Sequence, residues 1–409
     1  MKPLRILFVA PYVPSPIRVR PFQLIRHLAQ MGHHITLAAL DDGLPRDNAL
    51  TELRDICDAV HIVPHSKVSA AASCLAALPS PTPLWAAYCR SPRMEGLLQT
   101  LASSGNFDVA HVEHLRAAHW ASALGSLPRI IDAVDCITEL RRQIMEQGEV
   151  GGRLFSWQEW MKLRTYEPRA YRAFSRIAVT SAHDARALAL LDPARLPPID
   201  VIPNGVDTDY FCAESLPAGD MVSEDNCLVF SGKLSYIAND DAARFLLGEV
   251  LPRVRGICPD ARLVLAGSGP SPRLREMAAR AGNVHVTGYV EDLRPYIACA
   301  TVAVCPIRIG VGIQNKVLEA MAMARPVVAS SLAARALGSE SNSDGALTVA
   351  DGADAVAVAC AGLLENTEQA TRAGQAARRI VEAKYRWQTA GVQFTSLYES
   401  VMESAGTPA

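Results

Sequence analysis

Apolar positions in this chain recur as short runs, each closed by a polar or glycine-containing turn and followed by a stretch of helical period. Leu4–Ala10 is continuously apolar, the pattern of a strand covered on both faces. Phe22, Leu24, Ile25, Leu28 and Ala29 then recur at helical spacing, Gly32 ends that helix, and Ile35–Leu40 is the next strand. Ala59–Pro64, Phe107–Val112, Arg129–Val134, Arg176–Thr180 and Ile199–Pro203 continue the series, with helices and Pro-rich breaks across residues 66–104. A second series comprises Leu228–Ser231, Arg262–Ala266, Val284–Thr287, Thr301–Cys305, Pro326–Ser330 and Leu347–Ala350. Helical patterns separate these runs at about Asp240–Arg255, up to Ala281, at Glu291–Cys299 and from Asn315. Three more helices follow, near 353–364, 369–383 and 387–403, and the last is expected to cross back to the first half.

Strand–helix alternation of this kind predicts α/β structure with parallel sheets, and the opening strand–helix–strand unit is Rossmann-like. Between the two series, Val201–Phe211 runs into a Pro-Asn-Gly turn, and the polar stretch to Asn226 has no period. The chain therefore divides there, into 1–205 together with 386–409 and a second domain of 206–385.

In a parallel sheet the loops after successive strands face one edge. In the second series those loops hold Gly232-Lys233, Gly267 and Gly269, Gly288-Tyr289-Val290, and the segment Gly310–Glu319. Glycines allow close backbone approach, and the helix start after Gly312 offers amides to an anion. Lys316 in its first turn suits a diphosphate, and Glu319 one turn on suits paired sugar hydroxyls; the alternative is an ordinary crossover with a solvated Lys–Glu pair. The first series places Arg18 and Arg20 beside a helix start, and Glu113, His114 and Arg116 after one strand. Asp132 and Asp135 end another. Arg18 and Arg20 are either phosphate ligands or surface charges.

A net charge of −2 provides no global basic field, which argues against a nucleic-acid partner. The ten cysteines show no CxxC pair and no metal-type Cys/His cluster, so reduced thiols and a cytoplasmic enzyme are expected. Pro11 stops the first apolar run short of a signal peptide, and Pro79, Pro81 and Pro83 break the longest candidate membrane span, Val68–Tyr88. Gly148–Phe174 is helical, basic and aromatic. It either lies on a membrane or covers the domain, and Glu146, Glu149, Glu159 and Glu167 favour the second reading.

The stretches VIPNGVDTDYF (201–211), FSGKLSYIANDDA (230–242), LVLAGSGP (263–270), VTGYVEDL (286–293), GVGIQNKVLEAMAMARPVVAS (310–330) and YRW (385–387) carry a resemblance, as do 17–37 and 108–118. The chain resembles family 4 glycosyltransferases of GT-B fold over nearly its whole length, most closely the exopolysaccharide branch. The resemblance implies two Rossmann-like domains facing across a cleft, the first binding the acceptor and the second the nucleotide sugar. It implies transfer with retention of configuration and neither metal nor cofactor. Glu319 matches the family's ribose-binding glutamate, Lys233 its first phosphate-binding residue, and Val290 the position meeting the base. The donor set expected from the match is Gly232, Lys233, Gly267, Gly269, Tyr289, Val290, Gly310, Gly312, Ile313, Gln314, Asn315, Lys316, Leu318 and Glu319. Lys316, Glu319, Lys233, Glu113, His114 and Asp135 are the candidates for catalysis, and Arg18, Arg20, Glu113, Arg116 and Asp135 those for the acceptor. Two motif positions depart from the pattern. The first motif glutamate is Val311, and the second phosphate-binding lysine is Ala238. Gln314 and Lys316 are expected to take over part of the missing contacts. The expected donor is a UDP-sugar ahead of a GDP-sugar, and the acceptor a glycan, lipid-linked or small-molecule hydroxyl, with peripheral contact at the inner membrane face. A nucleotide-sugar-binding partner that has lost catalysis and a nucleotide-sugar 2-epimerase are the alternatives.

Overall fold

The computed structural model describes residues 2–41, 43, 47–147, 153–216, 226–338 and 345–406. Glu149 and most of the stretch to Asn226 named above lie outside them. The chain forms two compact units: residues up to Pro203 together with those from Trp387 on, and Asn204–Arg386.

The first unit holds seven parallel strands: β1 (Arg5–Ala10), β2 (His34–Asp41), β3 (Ala59–Pro64), β4 (Val109–Glu113), β5 (Arg129–Val134), β6 (Arg176–Val179) and β7 (Ile199–Val201). Their order is β3-β2-β1-β4-β5-β6-β7. Alternate side chains feed two cores, because successive residues of a strand point to opposite faces. Leu7, Val9, Val112 and Ile131 pack with Met94, Trp120, Leu163 and Tyr171. Ile6, Phe8 and Leu37 pack instead with Phe22, Ile25 and Leu28 of the helix Val19–Gln30, and with Trp387, Phe394 and Tyr398. The final helix, Trp387–Gly406, thus returns to the first unit. Gly391 sets its depth there, since a Cβ at that position would stand 3.1 Å from Met31 Sδ.

The second unit holds β8 (Cys227–Ser231), β9 (Arg262–Ala266), β10 (Val284–Gly288), β11 (Val302–Cys305), β12 (Val327–Ala329) and β13 (Leu347–Val349), again all parallel. The order is β10-β9-β8-β11-β12-β13. Where the sequence predicts one helix over 240–255, the structure has Ile237–Phe245, a wide π turn over Leu246–Val250, and Leu251–Arg255. Pro252 is the physical reason: it has no N–H for the Gly248 carbonyl and its ring crowds that oxygen, so the helix widens there. The helices Asp47–Ile56, Ile137–Gln147 and Ala182–Ala189 are among those the pattern does not predict. Among the described residues no helix is long and apolar enough to cross a membrane.

Candidate active site

In each sheet the strand order reverses beside its first strand, between β1 and β4 and between β8 and β11. Loops on either side of such a reversal splay apart and leave a crevice at the carboxyl edge. In the second unit that crevice is flanked by Gly232-Lys233 after β8 and by residues 306–314 after β11.

The ends of β8, β9 and β10 meet closely there. Gly267, at φ +148°, lies against the Gly232 carbonyl, and a Cβ would fall 1.8 Å from that oxygen. Gly267 N–H donates to Thr287 Oγ1 at 3.0 Å, which ties in β10 and the Tyr289-Val290 pair that follows it. Gly267→Ala should therefore cost roughly 2–5 kcal/mol through strain and overlap, read as a lower denaturant midpoint; an unshifted midpoint contradicts the contact.

Lys316 sits in the first turn of the helix Asn315–Ala322, whose start no side chain caps. Its Nζ donates to Asn239 Oδ1 at 2.9 Å, and Asn239 Nδ2 donates to the Lys233 carbonyl at 2.9 Å. The lysine stem crosses the end of β8, with Cε 3.1 Å from the place a Gly232 Cβ would take. Lys233 is exposed, and its ammonium makes no ion pair among the described residues. The Lys316 ammonium is therefore tied through Asn239 to the backbone of Lys233 at one strand end. Ala238 is buried at 2% exposure, and its neighbour Asn239 holds Lys316 in place. Sequence reasoning passed over Asn239, whose signal was a polar residue on the apolar face of a helix.

The loop over residues 307–313 is braced through its carbonyls: Ser330 Oγ donates to Ile307 at 2.6 Å, Arg335 Nη2 to Gly310 at 2.8 Å and Gln314 Nε2 to Val311 at 3.3 Å. Gln314 thus stabilises the loop itself. Asn315 Oδ1 accepts from Asn204 Nδ2 at 2.8 Å. Leu318 is fully buried and Ile313 nearly so, which corrects their place among side chains expected to touch a donor: both belong to the core. Tyr289 is 73% exposed, Val290 half-buried, and Gly269 packs on Ser235. The part-buried Glu319 carboxylate has no hydrogen-bond partner among the described residues. Burial raises its pKa to about 7, against the opposing pull of Lys316.

In the first unit, several expected acceptor residues prove to be structural. Arg20 is buried and forms a two-pronged ion pair with Asp132, at 2.7 and 2.9 Å, while also donating to the Ile202 carbonyl at 3.1 Å. It is therefore not an available phosphate ligand. The helix turns it inward, onto the Asp132 carboxylate. Glu113 is 1% exposed and accepts from Tyr12 OH at 3.3 Å, and burial, then Asp132, pushes its pKa well above the ordinary carboxylate range. It cannot serve as an accessible acceptor ligand. His111 pairs through Nδ1 with Tyr398 OH at 2.7 Å, stacks on Phe8, and is held neutral by burial at a pKa of about 4. His111, Glu113 and Asp132 offer ligand atoms within 4.8 Å of one another. Arg20 already occupies both Asp132 oxygens, so the group works as a buried polar network around that ion pair.

The residues left at the carboxyl edge are His114, Arg116, Asp135 and Arg18. His114 (φ +68°), just past β4, and Val134 (φ +66°), the last residue of β5, lie in the left-handed region, which is costly for a β-branched residue. Burial and then Arg116 hold His114 neutral, at about 3. Arg116 lies 4.7 Å from the Trp85 ring, and its buried Nε has no hydrogen-bond partner among the described residues. Asp135 accepts from Thr180 Oγ1 at 3.0 Å, and burial followed by Asp184 raises it to about 7. Arg18 covers the Tyr12 ring at 4.2 Å.

Two family models match: one described as Glycosyltransferase Family 4 over residues 19–210, and one described as Glycosyl transferases group 1 over residues 225–366. The chain is 32% identical over 204 residues to the phosphatidyl-myo-inositol mannosyltransferase of Mycolicibacterium smegmatis, covering 49% of this chain and 51% of that protein. It is 30% identical over 208 residues to the GDP-mannose-dependent alpha-(1-6)-phosphatidylinositol monomannoside mannosyltransferase of Mycobacterium tuberculosis, covering 47% and 53%. The match spans about half the length of these curated relatives. Among solved structures, Anabaena Alr3699/HepE in complex with UDP superposes with TM-score 0.68 at 16% identity, over 97% of this chain and 100% of that one. Sucrose-phosphate synthase from Thermosynechococcus elongatus gives 0.70 at 16%, over 98% and 100%. These structures share the fold. With one family model on each unit, two Rossmann-like sheets and that likeness, the chain belongs to the family 4 glycosyltransferases of GT-B fold.

Proposed function

We propose that the chain moves a hexose from a nucleotide diphosphate sugar to an acceptor hydroxyl, with retention of configuration and without a metal. The observation that carries this reading is the bond chain from Lys316 through Asn239 to the Lys233 backbone at the end of β8, with Glu319 one turn along the Lys316 helix. Breaking a sugar–diphosphate bond builds negative charge on the leaving oxygen, and fixed cations beside an uncapped helix start stabilise it. The leaving phosphate takes the proton of the incoming hydroxyl as that oxygen bonds to the sugar carbon, so no separate protein base is needed. Glu319 holds the ribose hydroxyls, Tyr289-Val290 border the base, and His114 and Asp135 orient the acceptor.

For the base, the mannosyltransferase relatives shift the reading from the UDP-type donor expected from sequence to a GDP-mannose-type donor; the UDP-bound structural neighbour keeps UDP as second. The acceptor reading is a lipid-linked or glycan hydroxyl, in the making of cell-surface glycans such as exopolysaccharide, by a cytoplasmic protein at the inner membrane face. Val311 favours one rival, a nucleotide-sugar-binding partner without activity. Donor titration with a transfer and hydrolysis assay separates the two: binding with neither product supports the rival.

Glu319 gives this reading a pH signature. Its proton is held more tightly in the folded chain than at its ordinary pKa of 4.5, so it subtracts stability as pH rises from there through about 7. Nucleotide affinity should rise over that upper range, because the ionised carboxylate is the better hydroxyl acceptor. Titration across about pH 6 to 8 should show the rise, and Glu319→Gln should flatten it; an identical slope in the variant removes Glu319 from the site.

A further inference from the structure

Outside the network around Arg20, the first unit encloses a cavity of about 460 Å³ among the helices Ile137–Gln147, Arg153–Tyr171 and Ala182–Ala189. Cys136, one residue past Asp135, is among its lining residues. Three arginines line it, Arg142, Arg164 and Arg186, against a single acid, Glu139. Arg142 already binds Glu139 at 2.8 and 2.7 Å and Glu146 at 2.6 Å. Arg164 lies 4.9 Å from the Trp160 ring, and neither it nor Arg186 has a carboxylate partner among the described residues. Two uncompensated guanidinium groups at a cavity suit a phosphate, whose oxygens match their paired donors.

The surroundings are apolar and exposed. On the same helix Leu154, Phe155, Trp157 and Met161 are 76%, 48%, 48% and 40% exposed, and Leu190 at the rim is 80% exposed. Of the acids expected to dilute this charge, the two on this helix point inward. Glu159 is 2% exposed and accepts from Leu84 N, and Glu167 is fully buried and accepts from Ile137 and Thr138 N–H. The surface is therefore apolar and basic, as at a lipid interface.

We propose that this cavity binds the phosphate of a membrane lipid, with Arg164 and Arg186 on the phosphate and Leu154, Trp157 and Met161 in the acyl boundary. The site deepens the acceptor-side reading above and rests on it. The test is co-sedimentation of the full chain with phosphatidylcholine vesicles, with and without phosphatidic acid. Wild-type protein should bind the phosphatidic-acid vesicles at least about tenfold more tightly than phosphatidylcholine alone. Arg164→Gln with Arg186→Gln should remove that preference at an unchanged melting temperature, and Trp157→Ala should weaken binding to both vesicles. Arg273→Gln with Arg379→Gln, equal in charge but in the second unit, should leave binding intact. Equal losses in both double variants, absence of vesicle binding by the wild type, or binding of inorganic phosphate without any vesicle binding would each overturn the proposal. Nucleotide protection against heating should persist in Arg164→Gln with Arg186→Gln, so failure here is distinct from failure of the donor reading.

Discussion

Replacing Lys316 by alanine is expected to remove sugar transfer while leaving the melting temperature near that of the wild type. The side chain crosses the end of β8, and among the described residues its one hydrogen bond goes to Asn239, with the ammonium 5.5 Å from the Phe230 ring centroid. Little of the core depends on it. At the leaving diphosphate it supplies a charge that matters most in the transition state. Loss of one such donor lowers kcat by about 10²- to 10³-fold, and a full cation in a shielded crevice sits at the upper end. The drop should appear in kcat more than in KM, since the charge it meets is still developing in the ground state. Near-normal turnover would remove Lys316 from the site and leave Lys233 alone.

Arg20→Met is expected to give the largest stability change in the first unit. It strands Asp132, which is fully buried, beside the buried Glu113 and His111. Removing one partner of a buried pair costs about 3–5 kcal/mol, against a total of about 5–15 kcal/mol for a domain. The cost lies in the stranded charge more than in the lost attraction. Replacing both partners, as Arg20→Met with Asp132→Leu, should therefore recover most of the loss. Denaturant midpoints of the single and double variants check this. A double variant no better than the single would mean that Arg20 works mainly through the Ile202 carbonyl and the Phe394 face it covers.

The strands were legible because parallel sheets covered on both faces write themselves as unbroken apolar runs. Arg129–Val134 and Arg262–Ala266 lie where the runs place them, and most other strands differ by a residue or two at their ends. The placement of Lys233 after β8 and of the Lys316 helix after β11 was legible for a related reason: loops after parallel strands share an edge. Long-range pairing was not legible. Tyr398 meets His111 from 287 positions away, and Arg20 meets Asp132 from 112. From sequence, Arg20 is an arginine at a helix start like Arg18, and only the packing of its helix sends one inward and leaves the other at the surface. Glu159 and Glu167 show the same limit, because a helix lists its charges without saying which face each one takes.

The most direct test of the account is thermal protection of the wild-type chain by a panel of nucleotide sugars, followed by an assay of transfer with those that bind. A ligand that binds only the folded chain stabilises it by mass action, so about 100-fold excess over Kd raises stability by about 2.7 kcal/mol. The account predicts protection by GDP-mannose ahead of UDP-sugars, no added metal required, and transfer that Lys316→Ala abolishes. A chain that no nucleotide or nucleotide sugar protects would contradict it.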